Sequence, residues 1–205
     1  MSQITSGIRA ILSNPVIYDG FQNFMGADRR RKEFANDHIR PIQGMRLLDI
    51  GCGTARILDY LPKSIVYYGF DLSQEYINEA LERYSDRGIF RCALVEEESL
   101  EGEAPFDLVL AIGVLHHLDD ERAKKLMQIA KSALKVGGRL LTIDPCFDQG
   151  EGCIARFLVG LDRGQNVRTG KQYHELAHNI FDDVFGSVKY RKWIPYTHWI
   201  MECTK

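Results

Sequence analysis

The stretch Leu47-Leu48-Asp49-Ile50-Gly51-Cys52-Gly53-Thr54-Ala55-Arg56 restricts the fold more than any other part of this 205-residue chain. It reads as a buried strand, then a glycine loop, then the start of a helix. Glycine has no Cβ and tolerates positive φ, so such a loop lets a small ligand lie close to the backbone. The residues themselves exclude two common versions of that loop. A dinucleotide fingerprint needs G-x-G-x-x-G, but Arg56 stands where the third glycine belongs. A phosphate-binding loop needs G-K-[ST], and no such triplet follows Gly53. Asp49 sits just ahead of the loop, where a pyrophosphate would meet its charge. A carboxylate there suits a ligand carrying positive charge. Together Asp49 and Arg56 set aside an NAD-dependent oxidoreductase, the rival enzyme class.

Apolar runs alternate with helical segments along the chain, the signature of a parallel sheet covered on both faces. Strands are expected at 46–50, 65–70, 89–94, 106–112 and 139–143. Helices are expected at about 54–61, 73–84 and 119–136. Pro62 stops the first helix, Ser73 caps the second, and Gly137-Gly138 reads as the C-cap of the third. Helices near 151–160 and 171–181 then precede two strands, about 184–192 and 196–203. Upstream, 4–13 and 17–39 read as helical until Pro41 and Gly44 break the pattern. One compact domain is expected over 42–205, preceded by a helical segment over 1–41.

Lys and Arg total 26 against 28 Asp and Glu, a net charge of −2. That balance offers no general attraction to nucleic acid or to an anionic membrane surface. Five cysteines, an odd number without C-x-x-C, do not form a disulfide framework or a zinc site. They point to a cytoplasmic protein. Met1–Thr5 shows neither a charged nor an apolar leader region. No apolar run reaches the roughly 18 residues of a membrane span.

The loop, written D-x-G-x-G-x-A, resembles the first motif of the class I S-adenosylmethionine-dependent methyltransferases, and "LLDIGCGTA" is close to its commonest spelling. Three further segments follow in that family's order. Tyr68-Gly69-Phe70-Asp71 ends the second strand, with Asp71 twenty residues beyond Gly51. Phe106–Leu118 is similar to the family's fourth-strand segment "FDxVxxxxVLHHL", and Gly137–Pro145 to its fifth. The resemblance covers about residues 42–145. It implies a three-layer Rossmann-like sandwich on a seven-stranded, mostly parallel sheet with an antiparallel terminal strand. It implies S-adenosylmethionine as cofactor and a small-molecule methyl acceptor, with O-methylation ahead of N- or C-methylation. It assigns the cofactor to Asp49, Gly51, Cys52, Gly53, Asp71, Leu72, Leu94, Val95, Ala111, Ile112 and Gly113. Asp71 takes the ribose and Leu72 the adenine. Many members carry an Asp near Leu94 and Val95; here those positions are apolar, and Glu96, Glu97 or Glu98 could substitute. A non-catalytic cofactor-binding or scaffold protein is the alternative.

A methyl donor of this kind is activated in advance, so a base is needed only for a hydroxyl or ammonium acceptor. His116 and Asp144 are the preferred candidates, with His117 and His198 also in view. Arg163 and Arg168 are expected to hold an anionic or sugar-linked acceptor. Tyr18, Phe21 and Phe24 read as a lid or a core-facing stripe. His174-Glu175-Leu176-Ala177-His178 spells H-E-x-x-H. Its zinc-protease reading fails for want of a third ligand, so no metal is expected.

Overall fold

The computed structural model describes residues 27–103, 105–160, 164–190 and 196–205. They fall into two units, divided between Leu94 and Val95. The expected lid residues Tyr18, Phe21 and Phe24 lie outside the described residues.

In the first unit, helix α1 (Ala27–Phe34) runs into a π-helical turn, Ala35–Ile39, that ends where Arg40 adopts a left-handed conformation. Three parallel strands follow, β1 (Arg46–Ile50), β2 (Val66–Asp71) and β3 (Gly88–Cys92). They lie in the order β3-β2-β1. Helix α2 (Gln74–Tyr84) starts at Ser73, whose hydroxyl accepts the Tyr76 N–H at 3.3 Å. It buries Ile77, Ala80 and Tyr84, the spacing of one helical face.

The expected helix over 54–61 is instead a 3-10 helix of five residues, Arg56–Tyr60. Ala55 sits at φ 53, in the left-handed region, and so cannot belong to a right-handed turn. At the other end Leu61 is extended, φ −108 and ψ 142, as the residue before a proline prefers. The segment between those two fixed points is too short for α-helix to outcompete the tighter turn.

The second unit holds β4 (Phe106–Ile112), helix α3 (Asp120–Ala133), β5 (Leu134–Phe147), α4 (Cys153–Gly160), the two-residue β6 (Arg168–Thr169), α5 (Gly170–His178), β7 (Asp183–Tyr190) and β8 (Thr197–Thr204). β4 and β6 pair with β5 in parallel. β8 runs antiparallel between β5 and β7. The mostly parallel α/β architecture with an antiparallel C-terminal strand is therefore as expected, and the short β6 is an addition.

α3 ends at Ala133, three residues before the expected limit, and Gly137-Gly138 does not cap it. Leu134 already faces Phe106 across the β4–β5 ladder, whereas the next partners are Leu108 and Arg139. One residue on β4 thus stands against four on β5, and Lys135–Gly138 bulges out, with Gly137 at φ 74. The buried Leu134 side chain wins over continued helix because it has a place beside Phe106 in the core.

Candidate cofactor and acceptor site

β1 is buried along Leu47–Ile50, and the chain leaves it at Asp49 and Ile50 for the glycine loop. Gly51 and Gly53 lie at φ 76 and 54, which explains why both positions are glycine. The Gly51 and Cys52 N–H groups both donate to the Phe70 carbonyl, at 2.7 and 2.9 Å. The Gly53 N–H donates to Asp71 Oδ2 at 2.9 Å, while Asp71 Oδ1 accepts the Ser73 N–H at 2.8 Å. A phosphate-binding loop presents its amides to the ligand. Here three of them are already taken by β2, so the loop is not built as an anion nest.

Asp71 therefore pins the loop to the end of its strand. Each carboxylate oxygen has two acceptor positions, so Asp71 can still receive a pair of ribose hydroxyls. Leu72 and Leu94 are exposed, at 48% and 53%. Asp49 is almost wholly buried and accepts the Tyr67 hydroxyl at 2.6 Å. Burial lifts its carboxyl from the ordinary 3.8 to about 7, against the lowering pull of that hydrogen bond. Burial also pushes the Cys52 thiol up.

In the second unit the carboxyl ends of β4 and β5 form the other group. Ala111 is buried, Ile112 half-buried, and the Gly113 N–H donates to Ile143 O at 2.7 Å. The chain then turns through a 3-10 helix, Leu115–His117. Its His116 meets Asp144 of β5, with Nδ1 and Oδ1 2.8 Å apart. The same oxygen accepts the His116 backbone N–H at 3.2 Å. His116 and Asp144 are 6% and 1% exposed. Two residues singled out separately in the sequence are thus one buried pair, in which the carboxylate fixes both the ring and its backbone. His117 lies beside it, ring centroids 4.0 Å apart.

Arg168 has a different task from the one expected. All five guanidinium N–H groups are used within the chain, on Asp120 Oδ1 twice and on the carbonyls of Leu115, Leu118 and Asn166. None remains for an acceptor. The side chain is buried and clamps the 115–118 turn that carries His116. The Asn166 N–H, which donates to His116 O at 2.9 Å, holds the same turn. Arg163 lies outside the described residues.

The remaining candidates disperse. Val95 is buried. Glu96 pairs with Lys125 at 2.6 Å, Glu98 opens a short 3-10 turn, and Glu97 lies exposed between them. His198 faces Pro145 across the β5–β8 ladder, with its ring 4.9 Å from Tyr196. His174 and His178 stack at 6.0 Å on α5, and Glu175 leans toward Lys171. Among the described residues, no three His, Cys, Asp or Glu side chains are grouped to hold a metal ion. An open cleft of about 380 Å³ lined by Lys131, Ile180 and Lys205 lies near the amino end of β5, away from the His116–Asp144 pair. Tyr67 and the Arg168 clamp were not recognisable in sequence as parts of a site.

The loop, its carboxylates and the α/β fold are similar to those of the class I S-adenosylmethionine-dependent methyltransferases, and comparison with known proteins finds the same likeness. Residues 48–140 match the model of a family described as a methyltransferase domain. A ubiquinone biosynthesis O-methyltransferase of Caulobacter sp. (strain K31) is 33% identical over 84 residues, 39% of this chain and 33% of that protein. The S-adenosylmethionine-dependent methyltransferase SibL, solved in its apo form, aligns with a TM-score of 0.70 at 17% identity, over 95% of this chain and 60% of its own. Magnesium protoporphyrin IX methyltransferase from Synechocystis PCC 6803, solved with bound SAM, aligns with a TM-score of 0.60 at 15% identity, over 88% and 78%. At these identities the structures carry the fold. The chain spans about a third of the length of the Caulobacter relative.

Proposed function

We propose that this chain transfers a methyl group from S-adenosylmethionine to a hydroxyl of a small molecule. The observation that carries the reading is the glycine loop with its amides engaged by Phe70 and Asp71 and the carboxylate of Asp49 buried beneath it. That arrangement repels a pyrophosphate and favours a cationic ligand carrying a ribose. On this reading Asp49, Gly51, Cys52, Gly53, Asp71, Leu72 and Leu94, with Val95, Ala111, Ile112 and Gly113, hold the cofactor. Asp71 receives the ribose hydroxyls, and Asp49 faces the amino-acid end.

When bound, S-adenosylmethionine supplies a methyl group already activated on a sulfonium. The chain's own task is then to align the acceptor, exclude water and remove a proton. His116 is suited to the last step. Its Nδ1–H is committed to Asp144, so Nε2 carries the lone pair that takes the hydroxyl proton. Asp144 fixes that tautomer, and Arg168 keeps the turn in place. O-methylation is favoured by this pair and by the name of the Caulobacter relative.

We place the protein in the cytoplasm, on the support of five free cysteines. Among the described residues no helix is long and apolar enough to cross a membrane. The test of the proposed function is a screen of phenols, alcohols, amines and carboxylates with S-adenosylmethionine. A mass increase of about 14 Da on a hydroxyl compound, matched by S-adenosylhomocysteine, is expected from transfer of one methyl for one proton. Transfer confined to nitrogen or to carboxylates would overturn the hydroxyl reading.

A further inference from the structure

Tyr67 is seated with unusual care for a residue outside the expected cofactor set. Its hydroxyl reaches Asp49 Oδ2 at 2.6 Å, yet the two are not cross-strand partners. Leu47 faces Tyr67, and Asp49 faces Gly69. The Tyr67 ring must therefore run along β2, past Gly69, to reach the next position on the same sheet face. Gly88 of β3 stands directly opposite Tyr67. A Cβ on Gly69 would lie 2.9 Å from a ring carbon of Tyr67 and 2.9 Å from Cys52 Sγ. A Cβ on Gly88 would lie 2.8 Å from the ring. Glycine weakens a strand through entropy and missing side-chain packing. Two strands thus carry that cost at neighbouring positions to let one ring lie flat, and Phe90 closes over it at 5.7 Å between centroids.

We propose that Tyr67 is a positioning residue for the cofactor: its hydroxyl fixes one oxygen of Asp49 and favours the charged carboxylate that meets the cationic amino-acid end. The inference rests on the reading that this chain binds S-adenosylmethionine. The groups bearing on Asp49 are Tyr67 and Asp71 from β2 and Cys52 from the loop. Burial and the Asp71 charge both push the Asp49 carboxyl up, and the Tyr67 hydrogen bond is the interaction that lowers it. Tyr67 itself is held well above its ordinary value, so it stays protonated and remains the donor. Without the hydroxyl, Asp49 would ionise only at higher pH.

The experiment is calorimetric titration of S-adenosylmethionine into the wild type, Tyr67→Phe and Asp49→Asn at several pH values between about 6 and 9. The ligand's own amino group titrates near pH ~8, and that contribution is shared by the wild type and Tyr67→Phe, which both keep the Asp49 carboxylate. Wild-type affinity is expected to tighten as pH rises through Asp49's ionisation. Tyr67→Phe is expected to bind about 3–10-fold more weakly at pH 7 and to approach the wild type by pH 9, its curve displaced upward by roughly half to one unit. A packing defect alone would weaken binding equally at every pH, and that outcome overturns the proposal. If Tyr67→Phe does not fold, Asp49→Asn still decides: a pH profile unchanged from the wild type overturns it. Failure of the wild type to bind at any pH would instead sink the cofactor reading itself.

Discussion

Asp144→Asn is expected to slow methyl transfer to a hydroxyl acceptor by about 10²–10⁴-fold. Affinity for S-adenosylmethionine should stay within about threefold, because Asp144 is not among the residues proposed to hold the cofactor. The carboxylate accepts both the ring Nδ1–H and the backbone N–H of His116. A carboxamide can present its N–H₂ to the ring, which favours the tautomer whose Nε2 carries the proton and cannot take another. Single-turnover measurements with saturating cofactor would isolate the step. The same variant sorts the acceptor chemistry. A phenol or alcohol needs its proton removed, whereas a carboxylate arrives ionised and would be methylated at nearly the wild-type rate. Equal rates for the two proteins on a neutral hydroxyl would remove His116 and Asp144 from the mechanism.

Asp49→Asn is expected to do two opposite things. It should weaken S-adenosylmethionine binding by roughly 10–100-fold, the loss of one charge-assisted contact at a buried carboxylate. It should also stabilise the unliganded protein at pH 8. The Asp49 carboxyl titrates at about 7 in the folded chain against 3.8 for an ordinary aspartate. Between those values the folded state keeps a proton that the unfolded state has lost. This group's contribution to stability is therefore full below pH 3.8 and lost as pH rises through about 7. At pH 8 the wild type carries a buried charge worth on the order of 2–4 kcal/mol against folding. Asparagine never ionises, and its carbonyl can still accept the Tyr67 hydroxyl. Thermal melts should show a Tm several degrees higher for the variant at pH 8, with the difference shrinking toward pH 4. A variant less stable than the wild type at pH 8 would mean that Asp49 supports the fold through contacts the charge does not oppose.

Parts of this molecule are plain in the sequence because one force dominates them. Phe106–Ile112 is a strand at its expected limits, since an unbroken apolar run of that length has few alternatives. Ser73 caps its helix through its own side chain, as expected, a signal that is local by nature. What escaped reading depends on distance. The His116–Asp144 pair is 28 residues apart in sequence and is joined by the β4–β5 register, in which Ile112 faces Ile143. Gly137-Gly138 serves a bulge as readily as a cap, and only the partner strand decides. Arg168 looked like an acceptor-binding cation because sequence does not show whether a guanidinium meets solvent or five acceptors inside the chain. Ala55 gave no sign of its left-handed conformation, and with it the helix over 54–61 was lost.

The central claim is that the glycine loop and its two carboxylates hold S-adenosylmethionine. Calorimetric titration of the folded protein with that cofactor tests it most directly, beside a titration with NAD as the rival ligand. About one equivalent is expected to bind, weakened at least tenfold by Asp49→Asn, with no heat from NAD. Folded protein that binds NAD, or that takes up no S-adenosylmethionine, would contradict it.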